Sequence, residues 1–240
     1  MKISLVTSFF FHPNIKRQKE YELTLRRNLE KDFVSKIHIF ITDHDHKKFM
    51  KTDFTKNSLF TKICFNIMSQ QPTYKDFLEY ASTLDDDDDI CMITNSDIEL
   101  SKIDEKILQY LNKGRIAYIL TRHEADGTKP LIKNYQGSHD CILFNVSELK
   151  KNFKNYNLDL IDITQNNYGS EALLTLCFIE TLNFKLFNPC FQIKIIHHHA
   201  SNIRQTYKYL AYTSLHKSTN SCYKNSIHNR YLIYPQFIKN

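Results

Sequence analysis

Glycine is scarce in this sequence, at four residues in 240, which leaves few positions where the backbone can turn sharply or approach a ligand closely. No apolar run comes near the roughly 18 residues that a membrane-spanning helix requires, so a spanning segment is excluded. The opening stretch, Met1-Lys2-Ile3-Ser4-Leu5-Val6-Thr7, places a charge before apolar residues, but the run is short and ends at His12-Pro13 without a small-residue cleavage site. It reads as a first buried strand. The six cysteines lack paired metal-ligand spacing. Most lie in apolar runs such as Ile90-Cys91-Met92-Ile93 and read as buried free thiols of a reducing compartment. None has a visible His-and-acid arrangement of the kind a cysteine nucleophile needs.

The chain also has no zinc-finger spacing, no RNA-recognition aromatic signature and no long basic stripe, so nucleic acid is not an expected partner. Its formal net charge of +6 is carried by scattered residues. That sign suits a phosphorylated small molecule or peripheral contact with a membrane surface, and does not choose between them. The length suits one sizeable core. A domain over residues 1–204 is expected, with 205–240 as a Tyr-, Lys-, Asn- and Ser-rich C-terminal extension packed on it.

What is present is an alternation of periods. Residues 3–10, 37–42, 62–67, 90–94, 116–121, 140–145 and 191–196 read as buried strands. Helical spacing marks 15–30 through Tyr21, Leu25 and Leu29, and 74–84 through Phe77, Leu78, Ala81 and Leu84, while 170–182 is an apolar helix. Such alternation predicts an α/β fold with a mostly parallel central sheet flanked by helices, whose ligands gather beyond the carboxyl ends of the strands.

Loops that follow strands therefore carry the candidate chemistry. In Ile93-Thr94-Asn95-Ser96-Asp97-Ile98 a buried strand ends at a polar turn, where Asp97 can offer a carboxylate to Mg²⁺ or Mn²⁺. The competing reading is a helix N-cap. In Ile196-His197-His198-His199, an extended chain points His197 and His199 the same way, so their imidazoles can complete a metal site begun by Asp97. A partly exposed strand end is the alternative. Arg204, a few residues on, can meet a phosphate through paired N–H donors.

Gly137, before Ser138-His139-Asp140, lets backbone approach a donor sugar. In Tyr168-Gly169-Ser170-Glu171, Ser170 is placed to cap the following helix, and Glu171 is either a general base or a first-turn acid favoured by the helix dipole. The five acids at 85–89 read as a solvated loop.

In order along residues 3 to 205, these pieces resemble a family of small GT-A-like glycosyltransferases found in large DNA viruses and bacterial polysaccharide clusters. The stretches that carry the resemblance begin with Ser4-Leu5-Val6-Thr7-Ser8-Phe9-Phe10, Arg17-Gln18-Lys19-Glu20-Tyr21 and Pro72-Thr73-Tyr74-Lys75-Asp76-Phe77. They continue with Asn95-Ser96-Asp97-Ile98, Leu120-Thr121-Arg122-His123-Glu124, Gly137-Ser138-His139-Asp140, Asn188-Pro189 and His197-x-His199-x-Ser201-Asn202-Ile203-Arg204.

The resemblance implies a GT-A (Rossmann-like) fold and transfer of a sugar from a nucleotide-sugar, with UDP the expected nucleotide, to a glycan or other hydroxyl acceptor. It implies a metal on Asp97 with His197 or His199, a donor pocket lined by Gly137, and a base at Glu171. It also places Thr7, Ser8, Phe9 and Arg17 near the nucleotide, with Asn95 and Ser96 beside them, and Arg122 and Asp140 near the sugars. Asp140 is the second candidate for the base, and an inverting outcome is expected. The implied location is cytoplasmic, in a host cell if the source is viral.

Three positions depart from the family pattern: Asn95 stands where many relatives have Asp, Gln71 where Arg is expected, and Glu171 in place of a shorter Asp. The first two leave room for a non-catalytic nucleotide-sugar-binding protein. The same carboxylates and histidines also suit a metal-dependent phosphoester hydrolase.

Overall fold

The computed structural model describes residues 2–85, 90–125, 139–165, 167 and 169–199. The chain opens with β1 (Ile3–Ser8), α1 (Ile15–Leu29), β2 (Val34–Thr42), α2 (Asp43–Phe49), β3 (Ile63–Met68), α3 (Tyr74–Ala81) and β4 (Ile90–Thr94). There follow β5 (Ile98–Lys102), α4 (Glu105–Leu108), β6 (Ile116–Leu120), β7 (His123–Glu124), β8 (Cys141–Asn145) and α5 (Val146–Lys150). The described part ends with α6 (Ser170–Leu176), β9 (Lys185–Phe187) and β10 (Lys194–His197).

Seven strands form the central sheet in the order β3-β2-β1-β4-β8-β6-β9. β8 runs antiparallel to both its neighbours, and every other adjacent pair is parallel. The strands are apolar on both sides because helices cover both faces. Leu5, Ile39, Met92 and Leu143 pack on one side with Tyr21, Leu25 and Leu29 of α1. Val6, Phe40, Ile93 and Ile142 pack on the other with Phe77 and Leu78 of α3 and Leu173 and Leu174 of α6. Alternate residues of one strand thus enter different layers, as a period of two demands.

The helices start where side chains can satisfy their first N–H groups. The Asn14 side chain accepts from the backbone N–H groups of Lys16 and Arg17. Thr73 and Asp76 form a reciprocal capping box on α3. α6 differs from expectation: Gly169, at φ 85°, takes the N-cap position in place of Ser170, whose side chain is buried one residue inside the helix. The long helix read over 170–182 is α6 followed by a π-helical turn over Cys177–Thr181.

A second sheet of three strands, β5-β10-β7, stands apart from the first. β10 pairs antiparallel with β5 and parallel with β7. β5 and β9 are not among the expected strands, and the strand read over 191–196 is displaced to Lys194–His197. Asn28, buried on α1, covers the free edge of β5: its amide donates to the Ile98 carbonyl at 3.0 Å and accepts from the Leu100 N–H at 2.9 Å. That amide supplies the backbone partners an edge strand lacks.

No helix among the described residues is long and apolar enough to cross a membrane.

Candidate metal and donor site

In the central sheet the chain moves from β1 to β2 and β3 on one side, then crosses back to β4 on the other. The carboxyl ends of β1 and β4 therefore flank the point where strand order reverses, the place where open α/β sheets bind ligands. Three serine and glutamine side chains tie these ends together. The Ser96 hydroxyl donates to the Ser8 carbonyl at 2.7 Å, and the Ser8 hydroxyl donates to Gln165 Oε1 at 2.9 Å. Gln165 Nε2 donates to the Thr94 carbonyl at 3.2 Å and to Asn95 Oδ1 at 3.1 Å. Thr7, Ser8, Phe9, Asn95 and Ser96 line one end of a small cavity that runs inwards beneath α1 to Leu5, Leu25 and Ile39. Phe9 is buried, with its ring edge-on to Phe11 and Phe49.

Asp97 sits in the turn from β4 into β5, so the turn leads to a strand and not to the helix that an N-cap would require. Register then assembles the cluster. Because β10 pairs antiparallel with β5, His197 lies opposite Ile98, and the His198 N–H donates to the Asp97 carbonyl at 2.8 Å. His197 Nε2 lies 3.1 Å from Asp97 Oδ2, and His199 Nδ1 lies 3.9 Å from the same oxygen. The intervening His198 faces away and meets Glu99 Oε2 at 2.8 Å. His197 and His198 are buried, and His199 is of intermediate exposure at the end of the partly exposed stretch that the alternative reading describes.

One atom each from Asp97, His197 and His199 lie within 4.8 Å of one another, close enough for a small inward movement to bring them onto one ion. Two further observations fit a metal. His197 Nδ1 lies 3.1 Å from Glu124 Oε2, the outer carboxylate contact that orients a ligating imidazole. His199 Nε2 is buried with no hydrogen-bond partner among the described residues.

Arg17, near the start of α1, also reaches this cluster. Its guanidinium pairs with Asp97 Oδ2, donates to Glu20 Oε2 at 2.7 Å and to the His198 carbonyl at 3.1 Å, and bonds the Tyr21 hydroxyl at 3.1 Å. Burial alone would raise the Asp97 carboxyl, but His197 and Arg17 outweigh it and hold it well below the usual carboxylate range. Burial works against a charge on His197 too, and Asp97 reverses that and raises it. His199 is pushed down, first by burial and then by the cations Arg17 and His197.

A chain of ion pairs leads from this cluster towards the second group of candidates. Glu124, which meets His197, also pairs with Arg122 Nε at 2.8 Å, and Arg122 Nη1 pairs with Asp140 Oδ1 at 3.0 Å. Glu171 lies in the first turn of α6, and its carboxyl is pushed up to about 7 by burial and by the neighbouring Asp140, against opposing bonds that include Asn95 and Ser170. A group poised there can exchange protons near neutral pH.

The structure thus brings Asp97, His197, His199 and Arg17 into one cluster, and Arg122 and Asp140 into a second one joined to it. Gly137, Arg204, Cys222 and the extension at 205–240 lie outside the described residues, as do the acids at 86–89. Gln71 is exposed. Cys91, Cys141, Cys177 and Cys190 are buried thiols outside any disulfide, and burial pushes the Cys177 and Cys190 thiols up to about 12, which disfavours the thiolate that a nucleophile needs. Glu124 and Gln165 were not singled out individually from sequence. Glu124 follows an apolar strand in a polar stretch, which is a weak signal, whereas Gln165 sits in a polar run with nothing to mark it.

This sheet order, with its helices on both faces and its polar cluster at the switch point, defines a GT-A-type α/β fold. No protein-family model and no curated protein matches the chain.

Solved structures share the fold. The 1–349 portion of S. aureus TarS in complex with UDP-GlcNAc is similar over 97% of this chain and 72% of that one, with TM-score 0.56 and 10% identity. A mannosyltransferase from Pyrobaculum calidifontis in complex with GDP-Man and Mn²⁺ is similar over 85% of this chain and 58% of that one, with TM-score 0.52 and 9% identity. The 4-diphosphocytidyl-2C-methyl-D-erythritol synthase of Anaerococcus prevotii is similar over 86% and 91%, with TM-score 0.51 and 15% identity. At these identities the likeness is one of fold.

Proposed function

We propose that this chain is a glycosyltransferase that takes a nucleotide-sugar donor, with UDP the first nucleotide to test, and passes the sugar to a hydroxyl acceptor with inversion. The observation that carries the reading is the convergence of Asp97, His197 and His199 beside the β1–β4 switch point. Two structures of the same fold are of a UDP-GlcNAc complex and of a mannosyltransferase with GDP-Man and Mn²⁺, which supports a donor of this class.

In this reading Asp97, His197 and His199 hold a divalent ion, which supplies charge neutralisation for a departing diphosphate. The chain's own residues do the rest. Thr7, Ser8, Phe9, Asn95 and Ser96 form the floor against which the nucleotide lies, and Arg17 supplies a cation to the diphosphate, joined by Arg204 from beyond the described residues. Arg122 orients Asp140 towards the sugar side, and Gly137 completes the donor pocket. Glu171 is the base. Its raised pKa lets it accept a proton from an acceptor hydroxyl and hold it, and Asp140, already paired with Arg122 at 3.0 Å, is the less free of the two carboxylates.

The test is calorimetric titration of nucleoside diphosphates, with and without Mn²⁺, against wild type and Asp97→Ala. Metal-dependent binding of one nucleotide that the substitution abolishes is the expected result. No binding of any nucleotide under either condition overturns the donor site.

The likeness to a cytidylyl-type synthase across 91% of its length makes nucleotidyl transfer the second reading. It predicts pyrophosphate release from a nucleoside triphosphate and a sugar phosphate or alcohol. Nucleotide-sugar turnover to water alone marks a hydrolase, and donor binding without any transfer marks a non-catalytic protein.

A further inference from the structure

The oxygen that a metal would need is already in use. Asp97 Oδ2 faces both His197 Nε2, at 3.1 Å, and His199 Nδ1, at 3.9 Å, and it is the same oxygen on which the Arg17 guanidinium rests. Arg17 is held there on a buried side chain, 8% exposed, and has other partners within reach: Glu20 at 2.7 Å and the His198 carbonyl at 3.1 Å. A divalent ion placed among Asp97, His197 and His199 would stand against this guanidinium, and like charges at such separation repel strongly in a water-poor site.

We propose that Arg17 is the resident counter-cation of the Asp97 site, and that a divalent ion enters it as Arg17 moves from Asp97 to the diphosphate of the donor. The proposal rests on the donor reading above and adds an order to it. The ion alone is a poor ligand, because it must displace a paired arginine and leave that buried arginine with Glu20 in place of two carboxylates. A metal–diphosphate complex is a good one, because the diphosphate carries the anionic oxygens that an arginine fork meets with paired N–H bonds. Arg17 therefore discriminates between the bare ion and the nucleotide-bound ion. Glu20, 2.7 Å from the same guanidinium, is the anion that Arg17 keeps as it leaves Asp97, and in this proposal it eases the exchange.

A purely structural Arg17 makes the opposite forecast. It would brace α1 against the turn after β4, and removing it would loosen the three ligands and weaken the metal.

The experiment measures Mn²⁺ binding, by calorimetry and by loss of the free-ion electron paramagnetic resonance signal, in the full chain without substrate turnover. Arg17→Gln is expected to bind Mn²⁺ alone about tenfold or more tightly than wild type. Glu20→Gln is expected to bind it more weakly, since Arg17 then has one anion fewer to share. UDP, used as the probe, should tighten Mn²⁺ binding far more in wild type than in Arg17→Gln.

An Arg17→Gln protein with wild-type circular dichroism that binds Mn²⁺ no tighter overturns the proposal. Should that variant not fold, unchanged or tighter Mn²⁺ binding in Glu20→Gln overturns it equally. The donor reading fails separately, and takes the proposal with it, if wild type binds neither Mn²⁺ nor Mn²⁺ with UDP. If wild type binds Mn²⁺ with UDP through Asp97 and the arginine substitution has no tightening effect, only the exchange is wrong.

Discussion

Glu124 Oε2 lies 3.1 Å from His197 Nδ1 and Asp97 Oδ2 lies 3.1 Å from its Nε2, so the ring stands between two carboxylates that can only accept. An ion shared with Asp97 would take the place of the proton on Nε2, while Glu124 keeps the one on Nδ1. The contact comes from pairing β7 with β10, which sets Glu124 opposite His197 in the second sheet. Glu124→Gln should therefore weaken Mn²⁺ binding by about 10- to 100-fold, the usual cost of losing the outer partner of a ligating imidazole, with little change in melting temperature. Titration of Mn²⁺ in the presence of a nucleoside diphosphate measures it. Unchanged affinity would remove Glu124 from the site.

As the proposed base, Glu171 would give the reaction its pH dependence. Burial and Asp140 hold its carboxyl at about 7, so the ionised form that can act as base grows as pH rises through that value. The expected kcat/KM therefore climbs with pH between about 6 and 8 and levels above. Glu171→Gln should lower kcat by about 10²- to 10⁴-fold while nucleotide binding is retained. An acid limb that persists in Glu171→Gln would move the base to Asp140.

Glu99 forms a separate network that braces the same strands. It meets His198 at 2.8 Å, Arg27 at 2.9 Å and Lys31 at 3.0 Å, joining β5 and β10 to α1. Burial opposes its charge, yet these three partners pull its carboxyl down to about 2. A group whose folded pKa is depressed stabilises above its unfolded value, near 4.3, and loses that contribution as pH falls towards the folded one. Glu99→Gln should cost about 1–3 kcal/mol at neutral pH. It should also flatten the loss of stability between about pH 5 and 2. Denaturant melts of both proteins across that range would show it, and parallel curves would mean that Glu99 contributes nothing specific.

Much of this was legible from residues, for physical reasons that differ by element. Continuous apolar runs such as Ile90 to Thr94 announce strands buried on both faces, and the polar turn directly after that run marked Asp97. Helix α1 shows its period through Tyr21, Leu25 and Leu29. Strand β5, Ile98–Lys102, was missed because the alternation of Ile98-Glu99-Leu100-Ser101 is only four residues long and follows directly on the polar turn, and among the described residues its partner strand is β10, almost a hundred residues away in the chain. The π-helical turn at Cys177–Thr181 leaves no mark in an apolar run. The roles of Glu124 and Gln165 arise from contacts 73 and 157 residues long in sequence, to His197 and Ser8, which no local pattern encodes.

The donor set also forecasts which ion the proposed site would take. Asp97 offers oxygen, and His197 and His199 offer nitrogen, while Mg²⁺ favours oxygen donors and gives up its waters reluctantly. Nitrogen ligands favour later transition ions, with affinity rising from Mn²⁺ towards Zn²⁺. In the presence of a nucleoside diphosphate, Mn²⁺ should bind about tenfold or more tightly than Mg²⁺, and Zn²⁺ more tightly still. Replacing His197 or His199 with Ala should narrow that preference, because the nitrogen that discriminates between the ions is then gone, whereas Asp97→Ala should weaken all three ions together. Equal affinity for Mg²⁺ and Mn²⁺, unmoved by either histidine substitution, would mean that the ion is held by the diphosphate and Asp97 alone, with the imidazoles serving only to anchor the carboxylate.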